Sequence, residues 1–207
     1  MKNIAVFVSG GGTNLGALIK AQDCGKIKSG RITLVVSSSE KAYAVKRAEN
    51  AGIDVAIVNR KDYSDRDAFS KALDEAVSEK EIDLIVLAGF MYVLPQSFCK
   101  KYANKIINVH PALIPSFCGD GYYGLHVHEK ALEYGVKVTG ATVHFVNEVT
   151  DGGAIILQKA VEISENDTPE TLQKKVMENC EWQLLPEAVE LFCGDRLEIS
   201  GRRVIVK

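Results

Sequence analysis

Short apolar runs alternate with longer amphipathic stretches along the first half of the chain. Five of these runs have the length and the continuous hydrophobicity of buried strands. They lie at residues 3–9, 31–37, 54–58, 82–90 and 105–110. Between them, three stretches carry apolar residues at helical spacing. These stretches are 14–22, 42–52 and 65–79.

Strands that are apolar on both faces and alternate with helices are typical of a mostly parallel sheet with helices on both sides. The sequence therefore predicts an α/β, Rossmann-like fold, in which ligands bind at the edge formed by the carboxyl ends of the strands. The runs 136–147 and 152–163 have no helix between them, so they predict antiparallel strands added in the C-terminal half. Because no linker or repeat is visible, we expect one domain over residues 1–207.

The last quarter of the chain predicts a long helix and a hairpin. Thr168 is an N-cap candidate, with Pro169 at the first helical position. Apolar residues then recur every four positions as far as Phe192, and Pro186 predicts a kink among them. The run 196–206 predicts a terminal hairpin that turns at Ser200 and Gly201.

A glycine-rich loop, SGGGTNLGAL at 9–18, joins the first strand to the first helix. Free N–H groups at a helix start attract an anion, and phosphate is the natural guest. The loop is not a P-loop, because Ala17 and Leu18 stand where Lys and Ser or Thr are required. Leu15 occupies a position where the dinucleotide fingerprint requires Gly, although the spacing of Gly10, Gly12 and Gly16 occurs in some nucleotide binders. The alternative is a tight turn that binds no ligand.

Two polar side chains end the fifth predicted strand. Asn108 and His110 are two residues apart, so they project to the same face. Together an amide and an imidazole can donate hydrogen bonds to one oxygen that gains negative charge, as acyl transfer requires. Asp151, in the loop before Gly152 and Gly153, could orient such an imidazole and accept a proton. Alternatively, Asn108 and His110 only donate hydrogen bonds to carbonyls of the following loop, and Asp151 is an ordinary turn residue.

Composition narrows the function classes. The net charge is −2, so no basic excess is available for gripping a nucleic acid. None of the five cysteines forms a Cys-x-x-Cys pair, and no apolar run is long enough for a membrane span. We therefore expect a cytoplasmic protein that binds neither nucleic acid nor membrane. His126 and His128 near Cys118 could suggest a metal, but the set is incomplete, and we expect none.

Six segments of the sequence resemble the folate-dependent formyl transferases in their order and spacing. They are FVSGGGTNLGAL, DLIVLAGFMYVL, INVHPALIPSF, GLHVHEKAL, GATVHFVNEVTDGGAIILQ and ENCEWQLLPEAV. The resemblance covers nearly the whole chain. The Asn-x-His-Pro motif with a later Asp-Gly-Gly is specific to that group. The Ser-Gly-Gly-Gly-Thr-Asn loop points to the members that act on glycinamide ribonucleotide.

The resemblance implies transfer of the formyl group of 10-formyltetrahydrofolate to the amine of 5′-phosphoribosylglycinamide, in purine synthesis. Asn108 and His110 would stabilise the oxyanion, and Asp151 would assist proton transfer. The implied ribonucleotide contacts are Gly12, Thr13, Asn14 and Glu181. The implied folate contacts are Arg66, Met91, Tyr92, Val93, Leu94, Asn108, Asn147, Glu148, Val149, Thr150 and Asp151. The implied division is a ribonucleotide-phosphate half at 1–105 and a folate-binding, catalytic half at 106–207, in a monomer or homodimer.

One stretch departs from the family pattern. The loop 116–126 is longer than in many members, and Ser116 stands where Lys is common. Its Gly and Tyr content favours a mobile lid.

Four other functions compete with this interpretation. A formyltetrahydrofolate hydrolase usually carries an extra N-terminal domain, and methionyl-tRNA formyltransferase carries an extra C-terminal one. A non-catalytic nucleotide- or folate-binding module would leave Asn108, His110 and Asp151 without a shared purpose. A dehydrogenase would need a ribose-reading acidic or basic residue where Ser37 to Ser39 stand, although these serines could accept a 2′-phosphate.

Overall fold

The computed structural model describes all residues from 1 to 207. Its strands are β1 (Lys2–Val8), β2 (Gly30–Ser37), β3 (Asp54–Ile57), β4 (Leu84–Leu87), β5 (Ile106–His110), β6 (Val138–Phe145), β7 (Ile155–Glu162), β8 (Leu197–Ser200) and β9 (Arg203–Val206). Its α-helices are α1 (Thr13–Asp23), α2 (Tyr43–Asn50), α3 (Arg66–Ser78), α4 (Gln96–Lys101), α5 (Leu125–Tyr134), α6 (Pro169–Val176) and α7 (Trp182–Cys193). A 3₁₀ turn covers Arg60–Asp62, and a π turn, Met177–Glu181, joins α6 to α7. No helix has the length and apolarity needed to cross a membrane.

All nine strands belong to one sheet, in the order β3-β2-β1-β4-β5-β6-β7-β9-β8. The strands from β3 to β5 are parallel, whereas β6 runs antiparallel to β5 and β7 antiparallel to β6. The hairpin of β8 and β9 completes the sheet, with β9 parallel to β7. The predicted mixed α/β sheet with antiparallel strands in its C-terminal half is confirmed.

The two faces of the sheet bury separate apolar layers, because successive strand residues point to opposite sides. In β1, Ile4, Val6 and Val8 pack into the larger layer, which α1 and α7 cover. Ala5 and Phe7 pack into the smaller layer, which contains residues of α3 and α4. Burial on both faces explains why the parallel strands are continuously hydrophobic in sequence.

The predicted long helix is interrupted, although not by a simple kink. Pro186 lies inside α7, and the irregular π turn occurs one turn earlier, at Met177–Glu181. A proline ring displaces the carbonyl of the residue four positions before it, here Trp182, so the distortion falls on the N-terminal side. The π turn places Cys180 and Glu181 in buried positions. Helices α4 and α5 had not been predicted.

Gly153, at the approach to β7, allows the backbone there to pass unusually close to β6. A Cβ atom added at Gly153 would lie 1.7 Å from the backbone oxygen of Phe145. No side chain fits there, so this glycine fixes where the loop containing Asp151 leaves β6.

We predict that Gly153→Ala lowers the free energy of unfolding by about 3 kcal/mol, because the backbone of β6 or β7 has to move. Gly10→Ala is the matched control, since nothing lies within 4 Å of its added Cβ. Urea denaturation of both variants measures the difference, and equal stabilities would contradict the close approach.

Candidate active site

A cleft of about 440 Å³ opens at the carboxyl ends of β4 and β5, next to the start of α1. In open α/β sheets this edge is where ligands bind. Four segments form its walls, namely residues 89–94, 108–111, 119–124 and 146–151. Asn14, Met177 and Glu181 contribute to the lining from α1 and from the π turn.

The three predicted catalytic side chains meet at this cleft. Asp151 lies between two histidines, with Oδ2 3.6 Å from Nδ1 of His110 and Oδ1 3.5 Å from Nε2 of His144. Nδ2 of Asn108 lies 3.2 Å from the same Nε2 atom. The antiparallel register explains the arrangement, because Asn108 of β5 pairs directly with His144 of β6.

His144 orients the amide of Asn108. Its Nδ1 atom lies 2.8 Å from the backbone oxygen of Phe145, which can only accept, so Nδ1 carries a proton. In the neutral ring Nε2 is then an acceptor, and it receives one hydrogen of the Asn108 amide. The second amide hydrogen remains for a ligand in the cleft.

Asp151 is held in a conformation that few non-glycine residues adopt, with a φ of 53°. The N–H of Gly119 donates to Oδ2 at 2.8 Å, and the side chain is only 9% exposed. Burial alone would raise the pKa of Asp151, but the neighbouring imidazoles and the Gly119 N–H lower it overall. The carboxyl group is therefore ionised at neutral pH and able to accept a proton.

His110 is almost fully enclosed, and both ring nitrogens face protein groups. Nε2 lies 2.8 Å from the backbone oxygen of Phe117, so it donates to that carbonyl, while Nδ1 faces Asp151. Burial lowers the pKa of His110, and the charge of Asp151 opposes this without cancelling it. The ring is thus neutral at pH 7.

The loop 116–126 is fastened to these side chains. Besides the contacts of Phe117 and Gly119, Asp120 accepts a hydrogen bond from the hydroxyl of Thr150 at 2.9 Å. The unusual segment therefore forms a wall of the cleft and contributes Tyr122 and Tyr123 to its lining.

The glycine loop offers several backbone donors. The N–H groups of residues 11–14 donate to no other group of the protein. At the same end of the cleft, the Asn14 amide donates to Glu181 Oε2 at 2.7 Å. Burial raises the pKa of Glu181 to about 7, and the hydrogen bond from Asn14 opposes this rise.

Most of the predicted folate contacts line the cleft. They are Met91, Tyr92, Val93, Leu94, Asn108, Asn147, Glu148, Val149, Thr150 and Asp151. Phe90 and Tyr92 lie 6.0 Å apart between ring centroids, and they add flat apolar surface to the wall. Arg66, at the first position of α3, does not line the cleft, and neither do Gly12 and Thr13.

Sequence reasoning missed the supporting groups. The carbonyl of Phe117 and the N–H of Gly119 are backbone atoms, which carry no sequence signal of their own. Gln173 of α6 and Met177 of the π turn also line the cleft, and they are far from its other residues in sequence. The one available signal was the glycine content of 119–124, where three glycines have positive φ.

The histidines considered for a metal site have other surroundings. Nδ1 of His126 lies 2.9 Å from Oε2 of Glu129, and His128 is completely buried. No group of three or more His, Cys, Asp or Glu side chains is arranged to hold a metal ion.

The chain belongs to the formyl transferase family, whose model matches residues 2–189. Within that family, it is similar to phosphoribosylglycinamide formyltransferases. The enzyme of that name from Haemophilus influenzae is 40% identical over 200 residues, which cover 97% of this chain and 91% of that protein. The predicted family is therefore confirmed.

Two further relatives show the same similarity. The crystal structure of glycinamide ribonucleotide transformylase 1 from Symbiobacterium toebii matches with a TM-score of 0.93 and 41% identity, covering 100% of this chain and 94% of that one. The trifunctional purine biosynthetic protein adenosine-3 of Gallus gallus is 42% identical over 197 residues, or 95% of this chain. The chain spans only 19% of the length of that larger protein.

The buried Glu181 carboxyl makes stability depend on pH. Folding raises its pKa from 4.5 to about 7. The stability contributed by the protonated form is therefore complete below pH 4.5 and is lost as the pH rises through about 7. We predict that Glu181→Gln, which cannot ionise, gains stability relative to the unmodified protein between pH 5 and pH 8, by up to about 3 kcal/mol.

Denaturation at a series of pH values measures this difference. Glu187→Gln, at an exposed position of α7, is the matched control and is expected to follow the unmodified protein. A difference between the Glu181→Gln variant and the unmodified protein that does not change with pH would contradict the prediction.

Proposed function

We propose that this chain transfers the formyl group of 10-formyltetrahydrofolate to the amine of 5′-phosphoribosylglycinamide. The product would be the formylated glycinamide ribonucleotide of purine biosynthesis, with release of tetrahydrofolate. The observation that carries the proposal is the convergence of Asn108, His110 and Asp151 at one cleft, in a chain of the formyl transferase family.

The proposed reaction begins with attack of the substrate amine on the formyl carbon. As the new C–N bond forms, the formyl oxygen gains negative charge, and the free amide hydrogen of Asn108 and the Nε2 proton of His110 stabilise it. For this, the Nε2–H group of His110 stops donating to the carbonyl of Phe117 and donates to the oxyanion, which is the stronger acceptor. Breaking the bond to the folate nitrogen then restores the carbonyl.

Asp151 carries the proton in this scheme. Its pKa is lowered, so the ionised carboxylate accepts a proton from the attacking amine, directly or through water, and delivers it to the departing folate nitrogen.

The two ends of the cleft suit the two substrates. A pterin ring has flat apolar faces and a polar edge, and residues 89–94 offer aromatic side chains beside backbone donors and acceptors. The ribonucleotide would place its phosphate on the free N–H groups of the glycine loop and its sugar near Asn14 and Glu181. Arg66 would interact with the folate from outside the cleft.

We propose that residues 1–207 form one domain, but that its two halves, 1–105 and 106–207, do not each bind one substrate alone. Asn14 from the first half meets Glu181 from the second, and residues 89–94 face Asp151 across the cleft. Each substrate would therefore contact residues from both halves.

The absorbance change that accompanies loss of the formyl group from the folate tests the reaction. We expect turnover only when the ribonucleotide is present. Turnover without it would identify a formyltetrahydrofolate hydrolase instead. If neither condition gave turnover, the chain would be a non-catalytic binding module.

We predict that His110→Ala lowers kcat by about 100- to 1,000-fold, since one donor to the oxyanion is lost. The KM for each substrate should change little, because the contact forms mainly in the transition state. Replacing exposed His126 with Ala is the control and should leave kcat unchanged. A His110→Ala enzyme with normal kcat would disprove the donor role.

A further inference from the structure

The cleft lacks a cation of the kind that usually accompanies a bound phosphate. No Lys or Arg lines it, whereas four acidic residues do, namely Asp120, Glu148, Asp151 and Glu181. The proposed ribonucleotide carries a phosphate with close to two negative charges. Free backbone N–H groups supply only partial positive charge. A full positive charge close to the glycine loop would therefore favour binding.

Arg47, on α2, lies against the glycine loop. Its Nε donates to the carbonyl of Gly11 at 2.9 Å. A Cβ added at Gly16 would lie 3.3 Å from Nη1, so the guanidinium passes close over the first turn of α1. The ring of Tyr43 lies 5.0 Å from the guanidinium carbon.

The charge of Arg47 is not neutralised by the protein, since no ion pair of the structure includes it. The contacts with Gly11 and Tyr43 hold the side chain in place without cancelling that charge.

α2 also sets the direction of the loop's N–H groups. The N–H of Ala44 donates to the carbonyl of Gly10 at 3.1 Å, next to the bond between Arg47 and Gly11. In a trans peptide the C=O and the following N–H point in opposite directions. With both carbonyls turned towards α2, the N–H groups of Gly11 and Gly12 point away from it and form a concave anion site.

The glycine spacing of the loop fits this arrangement. At Gly12 an added Cβ would lie 2.6 Å from Cβ of Ala44, and Gly16 leaves the space that the guanidinium occupies. Two glycines of the motif thus allow α2 and Arg47 to approach the loop.

We propose that Arg47 is a phosphate-positioning residue. This proposal rests on the proposed function. It acts from behind the glycine loop, without touching the cleft. It adds a full positive charge, and it fixes the Gly11 carbonyl so that the N–H groups face the phosphate.

Comparison of two substrates that differ only in the phosphate tests this role. One is 5′-phosphoribosylglycinamide and the other is the phosphate-free glycinamide riboside. For Arg47→Gln we expect kcat/KM for the ribonucleotide to fall about tenfold, while kcat at saturation and kcat/KM for the riboside stay within about twofold. Arg47→Lys, which keeps the charge, should recover part of the loss. Lys46 is the exposed residue that precedes Arg47 on α2, and the Lys46→Gln variant should behave as the unmodified enzyme.

The outcomes separate this proposal from the proposed function. An unmodified enzyme that turns over neither substrate would disprove the function and the role of Arg47 with it. If the unmodified enzyme prefers the ribonucleotide and Arg47→Gln keeps the whole preference, only the role of Arg47 is overturned. An equal loss with both substrates would indicate a general disturbance of the loop, and Arg47→Lys no better than Arg47→Gln would overturn the electrostatic part.

Discussion

The buried carboxylate of Asp151 is the group around which the site is organised. A buried charge without partners destabilises a fold by several kcal/mol, so the surrounding chain has to supply them. The N–H of Gly119 donates a hydrogen bond to it, and the rings of His110 and His144 enclose it from other places in the sequence. The loops 116–126 and 147–151 are therefore tied to each other through the same side chain that would handle the proton. The proposed function and the local stability would thus depend on one set of contacts.

The change from parallel to antiparallel pairing at β5 makes this set possible. In a parallel sheet the next strand would start far from the carboxyl end of β5, because a crossover has to intervene. Here β6 runs back along β5 in the opposite direction, with His144 directly opposite Asn108. The short connection to β7 then brings Asp151 back to the same place. The departure from a purely parallel sheet thus explains how side chains from two adjacent strands and a loop converge.

Sequence reasoning predicted the fold well, because the parallel strands are hydrophobic on both faces and glycine or proline marks several of their ends. It also placed Asn108 and His110 on one face, since that follows from the two-residue period of a strand. The meeting of His110 with Asp151 depends on tertiary register, for which no local pattern exists. The π turn at Met177–Glu181 was also missed, because the sequence indicated only a kink caused by Pro186. Contacts made by backbone atoms, such as the carbonyl of Phe117, leave no trace in residue type.

In the proposed mechanism, the positive charge that would help to bind the phosphate lies apart from Asp151, which would handle the proton. Four carboxyl groups and no Lys or Arg line the cleft. Anionic substrates would then be recognised by oriented backbone N–H groups and by charge placed outside the cleft. A lysine beside Asp151 would stabilise the ionised carboxylate, lower its pKa further and weaken it as a base. No Lys or Arg is among the groups that set the pKa of Asp151, which depends on burial, His144, His110 and the N–H of Gly119.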